Sequence, residues 1–164
     1  MKSKRNIIAT VLAMFMVFSM VTPAFGVLSP GTYSNSKVKY HNGSHSKTGF
    51  SARLSWPNLT NKVRWSGNSY TKWYGATPYN ADSIQHTNNI SVSGIGSLSF
   101  NTSSAGASIS GSTMSDTMSV SNSWKIESNF DYSLKKGIFI TGTNFSTSGR
   151  VQIGSSFYSM SCTT

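Results

Sequence analysis

The stretch that decides the fold is Met114–Leu134, MSDTMSVSNSWKIESNFDYSL. Nearly every odd position in it is Ser, Thr, Lys, Asn or an acid, and the apolar residues fall on even positions: Met114, Met118, Val120, Trp124, Ile126, Phe130, Tyr132 and Leu134. A period of two is typical of strands with one buried face, and it specifies their register strongly. The stretch is too long for one strand, which indicates turns near Asn122 or Ser128–Asn129.

The same alternation extends outward on both sides. It predicts strands around Val38–Tyr40, Phe50–Trp56, Val63–Trp65 and Ser69–Tyr74, with turns at Asn42–Gly43 and Ser66–Asn68 and a loop over residues 75–89. Further strands are predicted over 90–100, 138–141, 150–153 and 157–160. Roughly 8–10 strands with short turns predict an all-β fold, an antiparallel β-sandwich, with a small β-barrel as the alternative.

The first 26 residues have the pattern of a cleavable signal peptide. Lys2, Lys4 and Arg5 precede an uncharged apolar run over residues 7–21, and small residues at 24 and 26 predict cleavage before Val27. No second hydrophobic segment follows, so we expect no stable transmembrane anchor after cleavage. The predicted localisation is secreted and extracellular, with association to a cell wall as a further expectation, and the strongly basic start favours a bacterial source.

The remaining chain fits one domain. We predict a flexible lead-in over residues 27–36 and a single β domain over 37–164. Loss of Lys2, Lys4 and Arg5 with the signal peptide lowers the formal net charge from +10 to +7, so the mature protein is basic.

Cys162 is the single cysteine, which excludes an intramolecular disulfide. We interpret it as an incidental residue of a C-terminal strand. The alternative is a disulfide-linked dimer through Cys162.

Enzymatic chemistry has little support in the sequence, and we predict a protein that is not an enzyme and holds no cofactor. Four strand residues would separate Glu127 from Asp131 by about 13 Å, beyond the roughly 5 to 9.5 Å of glycosidases. His41, His45, Asp82 and His86 have metal-ligand spacing, but both pairs fall in expected loops, so no metal site is predicted. A hydrolase that uses Asp131 or His86 remains the third hypothesis.

Basic strands interleaved with aromatic residues form the candidate site. Residues 27–90 contain one acid, Asp82, and concentrate the positive charge. Neighbouring strands could merge their cations into one sheet face, with two tyrosines beside them. The predicted ligand-binding residues are Lys37, Lys39, Arg53, Lys62, Arg64, Tyr70, Lys72 and Tyr74. Trp65 and Trp73 are predicted to lie in the core.

Two features favour an antibacterial or pore-forming effector as the alternative. Residues 108–134 alternate hydroxyl and apolar side chains, as do hairpins that refold into membrane barrels. The segment Tyr40–Ser46 resembles the Tyr/His-spaced segment of lactococcin-type bacteriocins, and the resemblance implies a small secreted β-sandwich that acts on cell-wall synthesis. The resemblance covers a short part of the chain. The tryptophan that the family carries near the mature N-terminus is missing here, Tyr33 being the nearest aromatic residue, and no site residue is transferred.

The function predicted from the sequence is therefore binding of an anionic cell-wall polymer, glycan or membrane surface by a secreted, non-enzymatic β-sandwich.

Overall fold

The computed structural model describes residues 28–56, 61–76, 78–102 and 104–164. The predicted signal peptide, residues 1–26, and its cleavage point before Val27 lie outside these residues. The described chain forms ten strands: β1 (Gly31–His41), β2 (Ser44–Ser55), β3 (Lys62–Tyr74), β4 (Ala81–Ile95), β5 (Leu98–Asn101), β6 (Ala107–Ser110), β7 (Thr113–Ser123), β8 (Lys125–Lys136), β9 (Phe139–Ile153) and β10 (Ser156–Thr163).

Two five-stranded antiparallel sheets pack face to face, which confirms the predicted β-sandwich and excludes the barrel alternative. The first sheet has the order β1-β2-β3-β8-β5 and the second β10-β9-β4-β7-β6. In the part of the chain that the structure describes, no helix is long and apolar enough to cross a membrane.

The alternation over Met114–Leu134 arises, as predicted, from strands with one buried face. Two successive strands, β7 and β8, supply its core-facing positions. Met114 lies on β7, and Phe130, Tyr132 and Leu134 lie on β8, all of them buried. The chain changes sheet between the strands, where Asn122 has a φ of 48°. Of the two predicted turns, the one near Asn122 is confirmed, and β8 runs through Ser128–Asn129 without turning.

Three predicted loops are strands. Residues 31–36 of the predicted lead-in belong to β1 and pair with β2, although Tyr33 is their only large apolar residue. The predicted turn at Ser66–Asn68 is the middle of β3. Gly67 lies against β2 there, so closely that a Cβ would come within 2.1 Å of the Ser51 carbonyl oxygen.

The predicted loop over residues 75–89 contains most of β4. Its inward positions include polar as well as apolar side chains: Ile84, His86, Asn88 and Ile90 are all fully buried. The polar residues in the core therefore hid the first part of this strand. Trp65 and Trp73 lie in the core as predicted.

The core has two apolar clusters. The larger is built around Trp65, Tyr132 and Phe145, and the smaller around Trp73, Ile84 and Val151. The side chain of His86 is buried outside both clusters and makes the polar contacts described below.

Candidate functional site

The outward side of the first sheet is the candidate site, and we call it the cationic face. Register defines its members, because residues that pair across neighbouring strands share a face. Arg53 pairs with Ser66 and Lys47 with Lys72, while Lys62 pairs with Lys135. The charged residues at its outward positions, counted over the described residues, are Lys47, Arg53, Lys62, Arg64, Lys72, Lys125 and Lys135 together with Glu127 and Asp131.

The structure brings together six of the eight predicted site residues, namely Arg53, Lys62, Arg64, Tyr70, Lys72 and Tyr74, all at outward positions.

Lys37 and Lys39 were wrongly placed on this face. The two-residue turn Asn42–Gly43 pairs Val38 with Lys47, so Val38 points outward and the two neighbouring lysines point to the other side of β1. There they line a shallow recess with Ser159 and Ser161 of β10. As β1 is an edge strand, its inner side is partly open to solvent, and the lysines remain exposed.

Three rings form a row at one end of the cationic face, which we call the aromatic end. Tyr40, His45 and Tyr74 pair successively across β1, β2 and β3. The rings of His45 and Tyr74 stack with centroids 4.5 Å apart and planes at 12°, and those of Tyr40 and His45 lie 5.8 Å apart. Tyr40 is 81% exposed and Tyr74 41%, so both rings offer apolar surface to solvent.

Tyr70 lies beside the aromatic end between two cations. The ammonium groups of Lys47 and Lys72 lie 5.9 and 5.0 Å from the centre of its ring. A contact of this kind favours a cation near the ring face. Gly49 pairs with Tyr70, and a Cβ there would come within 2.7 Å of the tyrosine hydroxyl oxygen. The glycine therefore gives the Tyr70 side chain room to lie over β2.

Both acids of the face are ion-paired. Glu127 bonds Lys72 at 2.7 Å and Lys125 at 3.0 Å, and these hydrogen bonds lower the pKa of the Glu127 carboxyl. Arg64 donates Nε–H to Asp131 Oδ1 at 2.6 Å and bonds the second oxygen through its terminal nitrogen. This paired hydrogen bond lowers the pKa of Asp131 and raises that of Arg64. Each carboxylate thus neutralises part of the field of the cations beside it.

Three cations of the face were not predicted as site residues. Lys47 was not predicted because the predicted strand begins at Phe50, yet Lys47 lies on β2 at an odd position like Arg53, and extending the alternation would have found it. Lys125 and Lys135 come from β8, which pairs with β3 across a long sequence separation. No local sequence pattern indicates that β8 pairs with β3.

The outward side of the second sheet is different, and we call it the neutral face. Its positions carry mostly hydroxyl and amide side chains, and cross-strand rows such as Ser115–Asn89–Ser146–Thr163 run over it. Among the described residues of strands β4, β7, β9 and β10, Arg150 is the one cation on this face, and it lies 4.0 Å from the ring centre of Phe157. The positive charge is therefore concentrated on one side of the sandwich.

Between the sheets lies a polar network centred on His86. Its ring nitrogens bond Ser69 Oγ and Thr71 Oγ1, each at 2.8 Å, and Asn88 Oδ1 lies 3.1 Å from Nε2. Asn88 donates to the Tyr132 hydroxyl at 3.1 Å, and that hydroxyl donates to Asp116 at 2.7 Å. Burial lowers the pKa of His86 to about 4 and raises that of Tyr132.

The residues of the hydrolase hypothesis lie on different sides of the first sheet. His86 is fully buried between the sheets, whereas Asp131 points outward and pairs with Arg64. Glu127 and Asp131 occupy one strand, as their predicted separation assumed. Within the described part of the chain, no three His, Cys, Asp or Glu side chains are grouped so that they could hold a metal ion.

Cys162 is buried at 8% exposure on β10, with Sγ 3.8 Å from the Asn35 carbonyl oxygen and 3.9 Å from that of Thr48. Burial raises the pKa of its thiol to about 11. A disulfide-linked dimer through Cys162 stays a prediction, and it requires the β1–β10 edge to open.

The stretch over residues 108–134, the proposed inserting hairpin, is divided between the sheets. β7 pairs with β4 and β6 in the second sheet, and β8 pairs with β3 and β5 in the first. Insertion into a membrane as a hairpin would therefore require both strands to leave their partners.

The cationic face is about 40 Å long, the length of β3. Its outward positions carry seven cations against two acids, so the electrostatic field over this face is positive. No protein-family model, curated protein or solved structure matches this chain.

Proposed function

We propose that this protein is a secreted, non-enzymatic module that binds an anionic polymer of a cell surface through its cationic face. The observation that carries the proposal is the segregation of charge, because the cations gather on one sheet and the opposite sheet is almost uncharged. A solvated surface without a ligand gives no reason for this separation.

Binding of this kind is electrostatic and depends on salt. Arg64, Lys72 and Lys125 already share the two acids of the face. Arg53 and Lys135 form no ion pair within the described residues, so no carboxylate of the protein neutralises their charge and both can pair with a ligand. A polymer bound across several strands would contact cations of β2, β3 and β8 together.

The test is co-sedimentation of the mature protein, residues 27–164, with purified Gram-positive cell walls and with dye-loaded anionic liposomes, each at low and high salt. Arg53→Glu is the test variant and Arg150→Glu the matched control, since both change the net charge equally but on opposite faces. A cation near an anionic surface contributes about 1 kcal/mol, so reversal at Arg53 should cost about 2 kcal/mol, or roughly thirtyfold in affinity. Arg150→Glu should have a much smaller effect.

A second variant tests whether negative charge on the cationic face opposes binding. Asp131→Asn removes an acid from the face and should strengthen binding, although it breaks the ion pair with Arg64. Equal losses for Arg53→Glu and Arg150→Glu would show that total charge, not the face, governs binding. Absence of binding to walls and liposomes would refute the proposal, and dye release would replace it with the pore-forming alternative.

A further inference from the structure

The aromatic end has apolar ring surface that the rest of the protein leaves uncovered. Tyr40 and Tyr74 stand at the two ends of the Tyr40–His45–Tyr74 row, and both are exposed. An exposed tyrosine suits a ligand that has one apolar and one polar side, because the ring packs and the hydroxyl remains solvated. A ligand that carries only charge would not use these rings.

Charge on the face is intermittent. Along β3, Arg64 and Lys72 are separated by about 26 Å, and the outward residues between them that carry no charge are Ser66, Asn68 and Tyr70. The adjacent part of β2 is also uncharged, with Gly49 and Ser51 facing outward. A cationic patch thus lies at each end of the face. Between the patches, β2 and β3 present hydroxyl, amide and backbone groups, and β8 presents the ion-paired carboxylates of Asp131 and Glu127.

This spacing distinguishes among polyanions. A nucleic acid strand carries one phosphate per about 3.4 Å and is matched by a continuous track of cations. A polysaccharide with acidic groups on only some of its sugars presents hydroxyls between its charges. The alternation of cationic and hydroxyl-rich zones on this face fits the second polymer better.

We propose that the ligand is an acidic polysaccharide and that the aromatic end binds one of its sugar rings. The proposal rests on the proposed function and specifies its ligand class. The C–H side of a sugar packs on the rings of Tyr40 and Tyr74, while an acidic group on the same or the next sugar pairs with Lys47 or Lys72. Tyr70 holds these two lysines beside the aromatic end through its ring.

The experiment compares two polyanions that differ in the presence of rings. Binding of the mature protein is measured by calorimetry to hyaluronan, which has sugar rings and spaced carboxylates, and to inorganic polyphosphate, which has no rings. The test variant is Tyr40→Ala/Tyr74→Ala. The control is Phe157→Ala, which removes an exposed ring from the neutral face.

The double variant should weaken hyaluronan binding by about tenfold or more, as expected for loss of stacking, and should change polyphosphate binding by less than about twofold. Phe157→Ala should leave both unchanged. Tyr40→Phe/Tyr74→Phe keeps the rings and should retain most of the hyaluronan affinity, which separates loss of stacking from damage to the fold.

Equal losses for both polymers, or no loss for either, would overturn the inference. A single-stranded oligothymidine that binds more tightly than hyaluronan and depends on the same tyrosines would also overturn it, with nucleic acid as the ligand instead. Failure of the proposed function would look different, because the wild-type protein would then bind neither polyanion and Arg53→Glu would have no effect.

Discussion

Acidification should destabilise this protein through one side chain, His86. The ring is fully buried, and its partners are the hydroxyl groups of Ser69, Thr71 and Thr147 and the side chain of Asn88. Burial lowers its pKa from the ordinary value of 6.5 to about 4, although the Asn88 bond and the charge of Asp116 oppose the shift. The unfolded chain therefore binds a proton at a pH where the folded chain does not.

The direction and size of the change in the free energy of unfolding follow from this difference in pKa. A depressed pKa means that the stability is fully present above about pH 6.5 and is lost as the pH falls toward 4. A tenfold difference in proton affinity is worth about 1.4 kcal/mol, so the full loss is about 3 kcal/mol. Between about pH 7 and about pH 5 the expected loss is about 2 kcal/mol, before the carboxylates of the cationic face begin to contribute strongly.

The assay is urea unfolding across this pH range, followed by tryptophan fluorescence, because Trp65 and Trp73 are buried. His86→Gln cannot take up a proton in this range, so its free energy of unfolding should vary less with pH by about 2 kcal/mol. His45→Gln, at a half-buried site on the outward side of β2, is the control and should keep the wild-type slope. A wild-type free energy that is flat over this range, or an NMR titration of the His86 ring near its ordinary pKa, would refute the reasoning.

Two further predictions concern packing. Gly67→Ala should destabilise the protein by about 3 kcal/mol in thermal unfolding, because the new Cβ would meet a backbone oxygen of β2 at 2.1 Å and the φ of Gly67 is +155°. Gly142→Ala is the control and should cost far less, because the nearest atom to its Cβ would be 3.8 Å away. Equal costs for the two variants would contradict this explanation. Cys162 should react slowly with iodoacetamide in the folded protein and quickly in urea, since its thiol is buried with a pKa of about 11; equal rates would show that the β1–β10 edge is open in solution.

Alternation predicted the strands whose buried positions are apolar. Phe50, Ala52 and Leu54 on β2 and Phe130, Tyr132 and Leu134 on β8 are buried at successive even positions, and both strands were found. Alternation missed residues 81–89 of β4, because a buried histidine or asparagine has the pattern of a surface residue, whereas the part of β4 from Ile90 was predicted as a strand. Nothing local to His86 or Asn88 indicates that Thr71 and Tyr132 supply their hydrogen bonds from other strands.

The candidate site was predicted in part for a related reason. Alternation within each predicted strand placed Arg53, and Lys62 with Arg64, on polar faces. Lys72 was predicted beside that face, on a separate strand, because a turn was expected at Ser66–Asn68, whereas it shares β3 with Arg64. Between strands, the face depends on register, and the two-residue turn at Asn42–Gly43 reverses the parity that Val38 and Tyr40 suggested. Counting residues back from a two-residue turn would have placed Lys37 and Lys39 on the inner side of the sheet. Pairing of β3 with β8, which adds the two acids, lies beyond any argument from neighbouring residues.

The contrast between the two faces has a consequence at the scale of a coated surface. A molecule with cations on one side and hydroxyl and amide groups on the other adsorbs to an anionic layer in one orientation, with the neutral face outward. A saturated monolayer would then present mostly hydroxyl and amide groups to the solvent, because Arg150 is the one cation on the described strands β4, β7, β9 and β10 of that face. Further copies would meet an uncharged, hydrated surface, so coverage would stop at one layer.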